Sequence, residues 1–419
     1  MGGIKGLLTW LWSGPQSRAT LMQPDITLME ALGSLGPTSS GVSVTADSAL
    51  RLSAVSACVR LISESIASLP LVVYRRREGG TRQRVTDVPQ YRLLHDEPNR
   101  LMTSFVFRET LAAHVLLHGN AYAIVVRNGA GDPVDLLPVL SPNVLVLKTA
   151  AGELAYDIQL DGQVFRLIQW DVLHIPGLAY DGIKGMSPIR YAAESIGLGL
   201  SAERYGGSFF GNGSTPSGYI SLPGKLSPEQ ARTMQAAWQS VYGFNGGGGG
   251  NKTAVLFDNG KFEKISIAPN EAQFIETRKF QVAEIARWYR VPPHMIGDLE
   301  RATFSNIEHQ ALEFVTHTLR PWLVRFEQEF NRKLFPSSTA GTVNELYCEF
   351  NVDGLLRGDI NARGNYYTKG RQWGWLSAND IRRLENMEPI DGGDAYLTPL
   401  NMQAAGQSTD PAVGEENAQ

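Results

Sequence analysis

VPPHMIGDLERATFSNIEHQALEFVTHTLRPWLVRFEQEFNRKLF, residues 291–335, joins a short polar loop to a long amphipathic helix with a proline in its middle. Over 307–335 the apolar residues Ile307, Ala311, Phe314, Val315, Leu319, Trp322, Leu323, Phe326, Phe330 and Leu334 recur at the spacing of one helical face. Such a helix would be about 40 Å long, well beyond the average globular helix. Pro321 lacks an N–H and its ring collides with the carbonyl four residues back, so a kink is expected there. The polar segment 297–306, GDLERATFSN, reads either as an ordinary connection or as a mobile element that touches a passing ligand. A long bent helix fed by such a loop describes a strut rather than a catalytic pocket.

Upstream, residues 1–49 are rich in Gly, Ser, Thr and Pro and read as an arm. A helix over 50–68 leads into the strand LPLVVYRRR, and a second helix over 104–118 gives way at Gly119–Asn120 to AYAIVVRN. Asn128–Asp132 is a hairpin turn, and alternating strands continue to residue 176, which predicts an α+β region with an antiparallel sheet. Ser187 as cap and Pro188 at the first position open a helix to about 211. A small β-α-β-like insert follows, with a helix over 227–242, and then a helix over 270–290. Beyond the long helix come a strand at 346–352, short helices from 359 to 388, and an acidic tail, 398–419, expected to be disordered. Two helices flanking a self-contained insert describe a small domain at the end of a two-helix stalk.

The chain has 419 residues, 43% hydrophobic and 19% charged, which suits two or three globular domains. A net charge of −4 argues against strong overall affinity for nucleic acid and leaves local patches open. Cys58 and Cys348 make neither a disulfide framework nor a metal-ligand spacing. No apolar run reaches the length of a membrane span, and the apolar patch Leu7–Trp12 lacks the flanks of a signal peptide. Gly2 suggests myristoylation, but Gly6 stands where Ser or Thr is wanted.

The motifs that carry chemistry are weak. GGGGGNKT, Gly246–Thr253, approaches a phosphate-binding loop, but Asn251 replaces the second glycine, and a helix precedes and a strand follows. A connector is the better reading. His114 and His118 share a helical face with no third metal ligand nearby, so buried histidines with backbone partners are expected. Glu313 with His317, and Glu308 with His309, read as solvated or intersubunit contacts, and Asp391–Asp394 as a turn. No hydrolase elbow, zinc-protease motif or paired-cysteine motif occurs, so no catalytic residue, metal or cofactor is expected.

Several segments, in this order, resemble the portal proteins of tailed bacteriophages. They are LLHGNAYAIVVRNGAGDPVDLLPVLSPNVLV (116–146), VLHIPGLAYDGIKGMSPI (172–189) and ERYGGSFFGNGSTPSGYISLPGKLSPEQA (203–231). ETRKFQVAEIARWYRVPPHMIGD (276–298), SNIEHQALEFVTHTLRPWLVRFEQEFNRKL (305–334) and FNVDGLLRGD (350–359) complete the set, so the resemblance spans about 50–395. It implies a portal-like fold: a β-rich wing at 50–186 joined by strand 346–352, stem helices within 187–213 and 270–296, and an α/β clip at 214–269. It further implies a tunnel loop at 297–306, a kinked spine helix and its connection at 307–345, and a helical crown at 353–397.

The same resemblance implies a ring, usually of twelve copies, at one capsid vertex of the virion, assembled in the host cytoplasm. Its partners would be double-stranded DNA passing without sequence preference, the terminase large subunit, major capsid and scaffold proteins, and a head–tail adaptor. No membrane partner is implied. Glu300, Arg301, Thr303, Ser305 and Asn306 become the candidates that meet DNA. Lys225, Arg232, Lys252 and Lys261 become candidates for the terminase or adaptor contact, and Pro321 for the helix kink. A conduit for sliding DNA should not grip phosphates, because each neutralised phosphate adds affinity, and the modest negative charge suits that task. The competing readings are another capsid or adaptor protein, or a nucleotide-binding enzyme using Gly246–Thr253.

Overall fold

The computed structural model describes residues 38–77, 82–211, 219–221, 227–230, 232–233, 236, 261–263, 270–299, 310–335, 345–352, 360–385 and 387–397. The chain divides after Asn351 into two compact units. In the first, α1 (Ala46–Leu50) is closed by a capping box between Thr45 and Ser48, and α2 (Ser53–Ser68) starts afresh. The continuous helix expected from residue 50 is therefore interrupted. The N–H groups of Arg51 and Leu52 turn back to Ser48 and Ala49, and Leu52 is extended. Val55, Val59, Ile62 and Ile66 of α2 are buried in the packing against α3 (Ser104–His118), which offers Phe107, Leu111 and Val115. Gly119 ends α3 with a φ of 80°, and a Cβ there would meet the Met186 carbonyl at 2.3 Å, so only glycine fits.

The strands between 120 and 176 form two antiparallel sheets, not the single one expected. β3 (Asn120–Arg127) lies between β4 (Pro133–Val139) and β8 (Val172–Pro176); β5 (Val144–Lys148), β6 (Leu154–Leu160) and β7 (Gln163–Ile168) form the second. The reason is coverage: Tyr122, Ile124, Val126 and Val172 of one sheet share a core with Val144, Tyr156, Ile158 and Leu167 of the other. One flat sheet would leave that apolar face in water. The other face of β3, with Ala121, Ala123 and Val125, is also buried, beside α3. A third antiparallel sheet joins β11 (Leu346–Phe350), β1 (Leu71–Arg76) and β2 (Arg82–Arg84) in that order.

Ser187 accepts from the Arg190 amide and opens α4 (Pro188–Tyr191), which runs on after Ala192 as α5 (Ala193–Gly211). β9 (Tyr219–Ser221) pairs antiparallel with β10 (Lys261–Glu263). α6 (Asn270–Tyr289) packs on α5 and α2, burying Ile285, Ala286 and Tyr289. Residues 310–313 are α-helical, Phe314–Leu319 form a π-helical turn, and α7 follows as Arg320–Leu334. In the wide turn Arg320 N–H reaches the Val315 carbonyl, five residues back, which opens room for the Pro321 ring at the start of α7. The second unit contains α8 (Ile360–Gln372) and α9 (Ala378–Leu384), the latter started by a capping box between Ser377 and Asp380. Asn379 both donates to and accepts from the Ile390 backbone there. Helices and antiparallel sheets together make the chain α+β.

Candidate functional site

α7 is fixed between two sheet edges, and its polar side chains do the fixing. The apolar stripe Leu323, Phe326, Phe330 and Leu334 is buried. Beside it Arg325, Glu329 and Lys333 recur every four residues toward β8, an edge strand. Arg325 Nη1 donates to the carbonyls of Pro176 at 2.9 Å and Gly177 at 2.8 Å. Glu329 Oε1 accepts from the His174 amide at 2.9 Å, and Lys333 Nζ donates to the Gln169 carbonyl. On the other flank Glu327 and Asn331 serve β11, also an edge strand. Glu327 accepts from the Phe350 amide at 2.7 Å. Asn331 accepts from the Cys348 amide at 2.7 Å and donates to its carbonyl at 3.0 Å. Backbone groups that a missing neighbour strand would have paired are thus paired by one helix.

The seam is buried, and burial sets its electrostatics. Glu329 and Lys333 approach to 3.8 Å with side chains 12% and 3% exposed. Burial pushes the Glu329 carboxyl up and pulls the Lys333 ammonium down, while their mutual attraction opposes both shifts. His174 is pulled down to about 3 by burial and by the nearby Lys333 charge, so its ring is neutral. That ring sits 3.2 Å from the Tyr156 hydroxyl and 3.1 Å from Asn120 Oδ1. Asn120 in turn pairs with both the amide and the carbonyl of Gly185. Arg127 donates to the Lys333 carbonyl at 2.9 Å, tying the end of α7 to β3. At the other end the Thr318 hydroxyl, inside the π turn, donates to the Arg290 carbonyl at 2.5 Å and ties the turn to the end of α6. This network positions a helix; its imidazole is neutral, buried and flanked by fixed partners.

Glu300, Arg301, Thr303, Ser305 and Asn306 lie outside the described residues, as do Lys225, Lys252, the glycine run, Glu308 and His309. Arg232 is exposed on a helical stretch, and Lys261 opens β10. Pro321 is exposed in the first turn of α7. The structure brings none of these described residues together. Glu313 and His317 are exposed. His114 and His118 face each other edge-on at 6.4 Å, and burial lowers both, His114 to about 4. Among the described residues no three metal-ligating side chains cluster. The residues that sequence reasoning missed are Arg325, Glu327, Glu329, Asn331 and Lys333. In the sequence they form two polar rows at four-residue spacing on either side of the apolar stripe, a pattern that a solvated flank shares.

Comparison with known proteins agrees with this architecture. The family model described as phage portal protein matches residues 53–386. The "Probable portal protein" of Streptomyces phage phiC31 is 39% identical over 389 residues, covering 89% of this chain and 83% of that protein. The portal protein of Enterobacteria phage HK97 is 36% identical over 360 residues, covering 85% and 83%. A chain in the neck of a native gene transfer agent particle, solved with C12 symmetry, shares the fold at a TM-score of 0.56 and 22% identity, over 80% of this chain and 89% of that one. With a family model over most of its length and relatives above one-third identity across most of both sequences, the chain belongs to the phage portal protein family.

Proposed function

We propose that the chain works as the portal of a tailed phage, a ring of twelve copies at one capsid vertex through which terminase drives DNA. The observation that carries this is identity above one-third to the HK97 portal protein over most of both chains. The shared fold with a neck component solved in twelvefold symmetry supports the ring. So do the exposed apolar side chains Tyr191, Leu198 and Tyr205 of α4–α5 and Phe280 and Trp288 of α6, which one chain alone leaves in water. In this reading 50–186 with 346–352 is the wing, 187–213 and 270–296 the stem, 214–269 the clip, and 353–397 the crown.

The loop 297–306 lines the channel, and Glu300, Arg301, Thr303, Ser305 and Asn306 meet DNA without holding it. Pro321 marks the bend between the channel-side and outer parts of the spine helix. Lys225, Arg232, Lys252 and Lys261 face terminase or the head–tail adaptor, and scaffold and major capsid proteins are the ring's other partners. The ring assembles in the host cytoplasm, remains in the virion and performs no chemistry of its own. Negative-stain images of the purified protein test the ring, since shells or monomers alone would overturn it. Shortening 299–305 should leave rings intact and impair packaging or retention of DNA; normal filled particles would overturn the loop assignment. Tight ATP binding lost on Lys252→Ala would overturn the claim of no chemistry.

A further inference from the structure

Residues 38–40 are seated on α5. Thr38 is 8% exposed, and its Oγ1 lies where a Cβ on Gly197 would be only 2.6 Å away, so the chain rests directly on the helix backbone. The Ser39 amide donates to the Glu194 carboxylate at 3.2 Å, and the Ser201 hydroxyl donates to the Ser40 carbonyl at 3.2 Å. Thr38 is also held by its own loop, since its N–H and hydroxyl both donate to the Val42 carbonyl, at 3.0 and 2.8 Å. Glu194, Gly197 and Ser201 thus fix the point at which residues 1–37, which lie outside the described residues, join the fold.

The adjoining side of the same helix carries an apolar row without cover. Leu198 follows Gly197, so it stands about 100° round the helix from that seat. Tyr205 is seven residues on and Tyr191 seven residues back, which sets the three on one side over about 20 Å. Leu198 is 46% exposed, Tyr205 62% and Tyr191 59%. A row of large apolar side chains in water marks a contact surface.

The arm holds a segment of matching chemistry. LLTWLW, residues 7–12, has five large apolar side chains in six positions and no charge. It is too short for a membrane span and lacks the flanks of a signal peptide. Each such side chain taken out of water contributes about 1.5–3 kcal/mol. The stretch from Trp12 to Thr38 spans up to about 90 Å when extended, enough to leave one α5 and reach another. One chain alone leaves the row exposed, so its cover comes from a second copy.

We propose that Leu7–Trp12 of one subunit lies along the Tyr191–Leu198–Tyr205 row of the next. This rests on the ring reading and names what covers the row. An arm that starts on one α5 and docks on its neighbour's makes a head-to-tail contact, the kind that closes a ring.

The test mixes two full-length chains before assembly. A tagged chain carries Thr9→Cys, and an untagged one carries Ser195→Cys, between Tyr191 and Leu198 on the row. A short bis-maleimide cross-linker should give dimers with one chain of each kind; the native Cys58 and Cys348 are buried. The double variant, diluted into wild-type rings, should give no link within one chain, and such a link would put the arm on its own α5 and overturn the proposal. Rings without a link of either kind overturn the docking and leave the ring standing, whereas wild-type protein that never forms rings takes both down. Deleting residues 7–12 should raise the concentration for half-assembly about tenfold or more, the scale of an interface anchor. The melting temperature of the monomer should not change; an unchanged assembly concentration, or a less stable monomer, overturns the proposal. Leu198→Ala should weaken assembly of the full chain and add little once 7–12 are deleted. Equal effects of Leu198→Ala in both backgrounds would remove the arm from this row.

Discussion

α7 and the α5–α6 pair are both helical, yet they end their contacts differently. On the flanks of α7, Arg325, Glu327, Glu329, Asn331 and Lys333 each find a backbone partner in their own chain. α5 and α6 bury one face on each other and on α2, and leave Leu198, Tyr205, Phe280 and Trp288 in solvent. The first region is complete in a single subunit, and in the proposed ring a neighbour finishes the second. Substitutions should therefore cost folding stability in α7 and assembly in the helix pair.

The largest effect is expected at the buried ion pair. Lys333→Met leaves the Glu329 carboxylate without its cation and should cost about 3–5 kcal/mol in urea unfolding. Adding Glu329→Gln should restore part of that loss, and failure to restore any would show that the pair is not coupled. Next, Asn331→Ala strips partners from both backbone groups of Cys348 and should cost about 1–3 kcal/mol, with faster hydrogen exchange confined to β11.

A third expectation concerns acid. His174 and His114 are held neutral, with folded values of about 3 and about 4 against an ordinary 6.5. The unfolded chain takes up these protons first, so the full contribution is present above pH 6.5 and is lost as pH falls below it. Each imidazole should contribute a slope of about 1.4 kcal/mol per pH unit in that window. The raised Glu329 carboxyl acts in the opposite sense, stabilising as pH falls, so the slopes are read as differences. Burial lowers His118 as well, so melting curves from pH 7 to 5 should show His114→Gln removing one of three such contributions to the decline; an unchanged slope would place the titration elsewhere. The smallest folding effect belongs to Leu198→Glu, within about 0.5 kcal/mol of wild type. The same change should abolish or weaken ring formation by size-exclusion chromatography, and intact rings would remove α5 from the interface.

Local chemistry made much of this fold legible. Asn128 closes its hairpin by accepting from the amides of Ala130 and Asp132, and Ser187 caps its helix before Pro188. These are short-range effects, and a sequence displays them. The seam was not legible, because helical periodicity assigns Arg325, Glu329 and Lys333 to a solvated flank, whereas sheet edges 149–164 residues away in sequence bury them. The division of 120–176 into two sheets escaped for the same reason. Alternation shows which side of a strand is apolar and says nothing of what covers it. The candidate channel residues came from family resemblance, and polarity alone would not have separated 297–306 from any other connection.

The way α7 covers β8 and β11 has a consequence for the subunit before it assembles. An exposed edge strand is a template on which a foreign chain can extend a sheet, and aggregation commonly begins there. Here Glu329 and Arg325 occupy the groups of β8, and Asn331 and Glu327 those of β11, inside the monomer. A stock of free subunits accumulating before assembly is thus protected at these two edges from strand-on-strand polymerisation.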